Sequence, residues 1–377
     1  MFEIDNEPRD YSWGSLTAIA ELLGRTPTGR PEAELWLGDH PASPARVTGS
    51  GESLSEWGRQ HPRELGAERL PFLVKVLAAD SPLSIQAHPT LEQARAGFAR
   101  DNAAGLADDA PNRNYRDANH KPEIIIALTE FSALCGFRPT ESRERIVTHL
   151  AHLLGDAADL IRGDVAGAVE RLLTRTDGVA ELVAAISSLD PSDAVDADVR
   201  DALEVARSLA LHYPGDPGIV VSLLLNHRVL APGEALFLPA GNIHAYLHGV
   251  GIEVMSASDN VIRGGLTDKH IDVAELLDVL DFDELADPTL VPVVSGSVRR
   301  FAPPIPDFTV LDVRADGEVT LDVVGPAIAI VVSGEVELRG ESTIALSRGR
   351  AAFVSATEKL ASVSGTGHVF IATRPEN

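Results

Sequence analysis

Cysteine is almost missing: Cys135 is the single one in 377 residues, which excludes an internal disulfide and suits a reducing cytosol. It lies in the apolar stretch 131–137, where burial would hold a thiol protonated, so a packed side chain is expected rather than a nucleophile. Long apolar runs are missing too. No segment approaches the roughly 18 consecutive apolar residues of a membrane span, and the opening Met1-Phe2-Glu3-Ile4-Asp5 is unlike a signal peptide. A cytoplasmic protein without a membrane partner is expected. Positive charge is scarce: the net charge of −24 argues against nucleic acid and anionic membrane surfaces. It leaves room for a local cationic pocket, because exposed charges are screened beyond about 8 Å at physiological salt. Lysine is rarest, at Lys75, Lys121, Lys269 and Lys359, in a chain that otherwise uses arginine. Three of these fall in the stretches singled out below, as though a compact ammonium were required there. Internal repeats, a glycine-rich phosphate loop and low-complexity tracts are absent as well.

What is present is enough apolar residue, 44% of the chain, for a large core and two or three domains. The organising stretch is Ser84-Ile85-Gln86-Ala87-His88-Pro89. It follows an apolar run, 70–79, that carries Lys75. In a strand Ser84, Gln86 and His88 share a face, and Pro89 ends the ladder. Thr90 and Gln93 have capping-box spacing, so a helix over 91–100 is expected.

Upstream, Tyr11-Ser12-Trp13-Gly14-Ser15 and Glu34-Leu35-Trp36-Leu37-Gly38-Asp39-His40-Pro41 read as short strands ending at Gly or Pro turns, with Trp13 and Trp36 suited to the core or to stacking on a ligand. Residues 101–117 read as a surface loop. In Asn119-His120-Lys121-Pro122-Glu123, the proline keeps Lys121 extended and Glu123 opens a β-branched strand. A carboxylate there needs a partner, either a metal or Lys121 as a surface pair.

From Thr140 the period becomes helical, predicting an insertion over 138–214 with His149 and His152 on solvated faces. Strand character is expected again over 219–225. Gly241-Asn242 makes a bend from which His244 and Tyr246 leave on one face, with His248 uncertain in register. Glu253 then alternates with apolar residues. Arg263 precedes a glycine pair, poised for a ligand or for a salt bridge to Asp259. Val273, Leu276, Leu277 and Leu280 mark a helix. A proline-rich link at 301–306 leads to an all-β tail, with Ser333-Gly334 expected to turn a hairpin. The expected domains are 1–137 with 215–285, the helical 138–214, and 286–377.

Gln86, His88, Glu123 and His244 offer one amide, two imidazoles and one carboxylate. Two His and a Glu hold catalytic zinc, or form the facial triad of non-haem iron. The local spacings of zinc deaminases and zincins are absent, so the set depends on residues far apart in the chain.

Together, Ser84–Pro89, Asn119–Glu123, Pro239–Leu247 and Ser258–Thr267 resemble, in order, the signature stretches of type I mannose-6-phosphate isomerase, a zinc-dependent phosphomannose isomerase family. The likeness runs from about Tyr11 to Leu280. It implies a mainly β fold of cupin-like jelly rolls plus a helical domain, one zinc per chain, a sugar-phosphate substrate, and a monomer acting in carbohydrate metabolism toward GDP-mannose. It also implies Gln86, His88, Glu123 and His244 as zinc ligands and Arg263 as a catalytic residue, with Lys121 and Glu253 facing substrate. One departure falls in Gly38-Asp39-His40-Pro41-Ala42, where relatives often carry a basic residue near Ala42; it touches the pocket rim, not the chemistry.

Moving a proton between C1 and C2 of an aldose and a ketose passes through an enediol(ate), whose charge zinc or Arg263 would stabilise. Glu253 is the first candidate base, followed by His120, Asp259 and a metal-bound water, with Lys121 beside them. Lys75, Ser84 and Lys121, with Lys269, Tyr246 and Trp13, are candidates for holding the substrate. The rival readings are a cupin iron dioxygenase using His88, His244 and Glu123, and a non-catalytic sugar-binding cupin.

Overall fold

A strand thirteen residues long, His244–Ser256, runs through the middle of the molecule and pairs antiparallel with four others. The computed structural model describes residues 1–285 and 287–375, so the expected domain boundary at 286 lies outside the described residues. Around the long strand a nine-stranded sheet curls on itself in a cupin-like fold. Phe72–Ala79 and Glu34–Leu37 flank one stretch of it, and Ile85–Ala87 with Ile262–Gly265 flank the other. Glu123–Ala127, Phe131–Phe137, Leu225–Leu230 and Ala235–Leu238 close the layer. All eight residues of Phe72–Ala79 are buried, so both faces of that strand are covered and its sequence is a nearly continuous apolar run.

A second, ten-stranded sheet is built mainly from the tail, 293–373, and it takes in Phe2–Asp5 and Arg46–Val47 from the other end of the chain. Ile4, Leu35, Val74, Ile252, Phe301 and Phe370 belong to one apolar cluster, so the two β units share a core.

Helices Thr140–Leu154, Val165–Leu173, Val179–Ser188 and Ala197–His212 form the insertion. Asp164 and Asp196 cap two of them by accepting hydrogen bonds from first-turn amides. Their apolar stripes pack into a cluster that reaches Ile85, Leu134 and Ile243, which anchors the insertion to the floor of the site. His152 is exposed, and His149 is half-buried rather than on an open face.

Four local expectations differ from the structure. Tyr11–Gly14 is a turn, not a strand: the Gly14 amide donates to Tyr11 O at 2.9 Å, and pairing is limited to isolated bridges from Gly14 and Ser15. Residues 218–221 are a helical turn continued by a 3₁₀ turn, with the strand starting only at Leu225. Asp216 accepts the Gly218 amide at 2.7 Å and starts the turn, and a fully buried apolar run has no period with which to announce a helix. Ser333-Gly334 turns no hairpin. Ala327–Arg339 runs through it with a register shift between Val331 and Ser333, and Gly334, paired with Gly367, takes a φ of 72° that a glycine tolerates. The loop 101–117 is only partly superficial: the helix runs on to Ala103, and Tyr115 is fully buried against Gly97.

The helix Leu91–Ala103 begins as the Thr90 and Gln93 spacing requires, with both hydrogen bonds of the capping box formed.

Candidate active site

Gln86 sits at the centre of the site because its strand is sandwiched, with His244 as its cross-strand neighbour on one side and Arg263 on the other. His88 follows one residue beyond that strand, and Glu123 begins the strand that pairs with Met255 and Leu238. Folding thus brings one ligand-capable atom from each of His88, Glu123 and His244 within 4.8 Å of the others, all three buried. Gln86 Nε2 lies 3.3 Å from His244 Nε2, and a half-turn of the amide presents its oxygen to the same space.

The far nitrogens of both imidazoles are tied to backbone carbonyls. His88 Nδ1 meets Asn260 O at 2.7 Å, and His244 Nδ1 meets Asn242 O at 3.1 Å. A carbonyl accepts only, so each Nδ1 carries the hydrogen and each Nε2 lone pair faces the cluster. Asn260 is held in turn by donating to Asp117 O and Asn119 O. Burial, then the Lys121 ammonium, push His88 down to about 4, so the ring is neutral near pH 7. Burial alone would raise Glu123, but Lys121 and then His88 hold its carboxyl well below the usual range. His88 Nε2 and Glu123 Oε2 are buried without a hydrogen-bond partner. Two such orphaned acceptors side by side would be costly, and a divalent cation is what this donor set fits.

Above the cluster opens a cavity of about 620 Å³. Of the candidate residues, Trp13, Lys75, Ser84, Gln86, Lys121, Glu123, Tyr246, Glu253, Asp259, Arg263 and Lys269 line it. His88 and His244 lie beneath its floor. His120 is not on its wall; it faces Asp307, 3.1 Å away.

Two buried ammonium groups are already engaged. Lys121 Nζ is 2.7 Å from Glu123 Oε1, so the pair read as a surface alternative forms, but in the interior and beside the metal cluster. Lys75 Nζ lies 2.9 Å from Glu253 and 3.4 Å from Glu34. Burial would lower Lys75, but Glu253 and then Glu34 keep it above its ordinary value. Burial raises Glu253, Lys75 opposes, and Glu123 and Glu34 push it further up. Burial, followed by Glu253 and Glu123, raises the Tyr246 hydroxyl well above normal.

Arg263 differs. The alternative salt bridge to Asp259 does not form, because Asp259 instead meets His40 Nε2 at 3.2 Å. Among the described residues no carboxylate pairs with Arg263; burial and then Arg116 lower its pKa. Lys269 is exposed at the mouth, lowered by burial and then by Arg263. The uncommitted cations therefore stand at the entrance.

Glu34 and His40 were missed in the sequence, and Trp36, read there as core or ligand-stacking, lines the cavity. Glu34 ties Lys75 to Trp36, whose Nε1 donates to it at 2.8 Å. An acidic residue opening an otherwise apolar strand was the available signal, the same signal that exposed Glu123. Tyr213, from the end of the insertion, also reaches the cavity wall and donates to Pro82 O at 2.6 Å.

A cupin-like fold that buries two imidazoles and a carboxylate under a polar cavity defines a metal-dependent enzyme of the cupin class. The profile of the phosphomannose isomerase type I catalytic domain matches residues 1–140. The mannose-6-phosphate isomerase of Escherichia coli K12 is 37% identical, with 98% of each chain covered. The human mannose-6-phosphate isomerase is 32% identical over 96% of this chain and 94% of its own. A crystal structure of mannose 6-phosphate isomerase bound with zinc and yttrium superposes with a TM-score of 0.90 at 35% identity, covering 99% of both chains. The chain belongs to the type I mannose-6-phosphate isomerase family. Neither the dioxygenase nor the non-catalytic binding reading is favoured by these relatives. Among the described residues no helix is long and apolar enough to cross a membrane.

Proposed function

We propose that this chain interconverts mannose 6-phosphate and fructose 6-phosphate, with zinc held by Gln86, His88, Glu123 and His244. The observation that carries the reading is the buried His88–Glu123–His244 cluster, with orphaned acceptors, beneath a cavity whose mouth holds the unpaired guanidinium of Arg263. Bound zinc would supply Lewis-acid stabilisation of negative charge developing on the sugar's oxygens.

The protein's own groups do the rest. Glu253, with its pKa raised in a buried site, is poised to take the proton from one carbon and return it to its neighbour. Lys75 orients that carboxylate at 2.9 Å and is itself braced by Glu34. Arg263 adds positive charge where the enediolate forms, and lacking a carboxylate partner it has none to give up before acting. Ser84 and Lys269 at the mouth take the phosphate, with the field of Lys75 and Lys121 behind them. Tyr246 and Trp13 form walls against which the sugar packs. His120, off the cavity wall, and Asp259, engaged with His40, rank below Glu253 as bases. The enzyme acts as a cytoplasmic monomer, a state that sedimentation of the purified chain checks.

The deciding experiment follows fructose 6-phosphate formed from mannose 6-phosphate in a coupled assay. Turnover that is lost to a chelator and restored by zinc is expected. Absence of turnover by the zinc-loaded protein would overturn the proposal.

A further inference from the structure

A second cavity, of about 380 Å³, lies where the last helix of the insertion, Ala197–His212, crosses the sheet. It shares walls with the first. Pro82, His212 and Leu247 face the second cavity, while their chain neighbours Leu83, Tyr213 and Tyr246 face the first. Its chemistry has no part in the isomerisation.

Ser132 and His227 stand on adjacent strands. Ser132 is paired with Val229 and His227 with Leu134, so the two side chains are diagonal neighbours on one face. His227 Nε2 is 2.9 Å from Ser132 Oγ, and His227 Nδ1 is 2.8 Å from Asp201 Oδ1 on the crossing helix. All three residues line the cavity. A carboxylate can only accept, so Nδ1 bears the hydrogen. In the neutral ring Nε2 is then the acceptor, and the Ser132 hydroxyl donates to it. Asp201 is oriented by the buried Arg138, whose Nη2 is 3.7 Å from its other oxygen. The sequence gives no hint of this arrangement, because its members are 69 residues apart on one side and 26 on the other.

A hydroxyl bonded to an imidazole whose far nitrogen is held by a carboxylate is the arrangement that activates serine, on whatever fold it occurs. We propose that Ser132, His227 and Asp201 form an acyl-transfer site, separate from the isomerase site, that hydrolyses small neutral or cationic carboxylic esters. The substrate class follows from the lining. Asp80, Asp201 and Glu204 face the cavity, among the described residues no lysine or arginine lines it, and Val205, Leu209 and Leu247 offer apolar surface. Anionic esters are disfavoured there.

Ser132 Oγ bonds to the acyl carbon as its proton passes to His227 Nε2. The ester C–O bond then breaks, its electron pair leaves with the alkoxide, and that oxygen takes the proton from His227. Water, activated in turn by His227, cleaves the acyl–serine bond to release the acid. His212 and His248 also line the cavity and bring to it N–H groups of the kind that would donate to the transient oxyanion.

The test uses the full chain with p-nitrophenyl acetate hydrolysis and a fluorophosphonate probe, the labelled residue being located by peptide mass spectrometry. Ser132 carries the adduct in the wild type. Ser132→Ala abolishes labelling at that position, and His227→Gln slows both labelling and hydrolysis by about 100-fold or more. Asp201→Asn slows both in the same direction and stands in should the His227 variant fail to fold. Isomerase turnover and the melting temperature of Ser132→Ala stay at wild-type values. Hydrolysis unchanged in Ser132→Ala, an adduct elsewhere only, or labelling indifferent to both the His227 and Asp201 substitutions would overturn the proposal.

Discussion

Replacing Glu253 with glutamine changes one atom in the most constrained part of the cavity and removes the capacity to shuttle a proton. Glu253 is buried, and its Oε2 lies 2.9 Å from Lys75 Nζ. Glutamine keeps the shape and an acceptor for Lys75, which also retains Glu34 at 3.4 Å. The stability cost should therefore be limited to about 1–3 kcal/mol, the range for weakening a buried hydrogen bond to a charged group. The catalytic cost should be far greater. Positioned general-base catalysis is worth about 10²–10⁴-fold, or roughly 2.7–5.4 kcal/mol in the barrier, and it should fall on kcat with little change in KM. The acid limb of the rate profile provides a second readout. A base works only when deprotonated, and burial raises Glu253, so wild-type kcat/KM should climb with pH through a range above that of an ordinary carboxylate. Glutamine should erase that limb. The assay is steady-state conversion of mannose 6-phosphate across pH, with exchange of the C2 hydrogen into deuterated water followed by NMR. A variant within about tenfold of wild-type kcat that still exchanges the C2 hydrogen would refute the assignment.

Arg263→Ala should lower mainly kcat, by about 10²–10³-fold as for loss of an oxyanion donor, with the fold intact because Arg263 has no ion pair to lose; a change confined to KM would reassign it to phosphate binding. Lys75→Ala should raise KM and also destabilise by about 3–5 kcal/mol in urea unfolding, since it leaves Glu253 and Glu34 buried without their cation. Adding Glu253→Gln to it should recover part of that loss, and a purely additive pair would count against the coupling. Burial pushes the Cys135 thiol up to about 12, so iodoacetamide at pH 8 should leave the native protein unmodified and alkylate it fully in denaturant; native alkylation at that pH would contradict the packing described.

The capping box at Thr90, the helical period of the insertion and the apolar strand around Lys75 were legible because each depends on neighbours a few residues away. The same local logic misled at 218–221, where burial on all sides removes the periodicity that separates helix from strand, and at Gly334, where a positive φ sits inside a continuous strand instead of a turn. Glu123 could be singled out because an acid at the head of a β-branched strand demands a partner. Glu34 sends the same signal more faintly, and its partner Lys75 is 41 residues away.

The residue types of the site and the β character of its strands were set along the chain itself, by alternation, caps and proline stops. Which cations remain free was decided only in three dimensions. Lys75 is neutralised by Glu253 and Glu34 from neighbouring strands, Asp259 is taken by His40, and among the described residues Arg263 is left without a counter-ion. The serine–histidine–aspartate relay at the second cavity exists by the same means. Electrostatic partnership falls off over a few ångströms, and separation along the chain says little about separation in space until strands have paired.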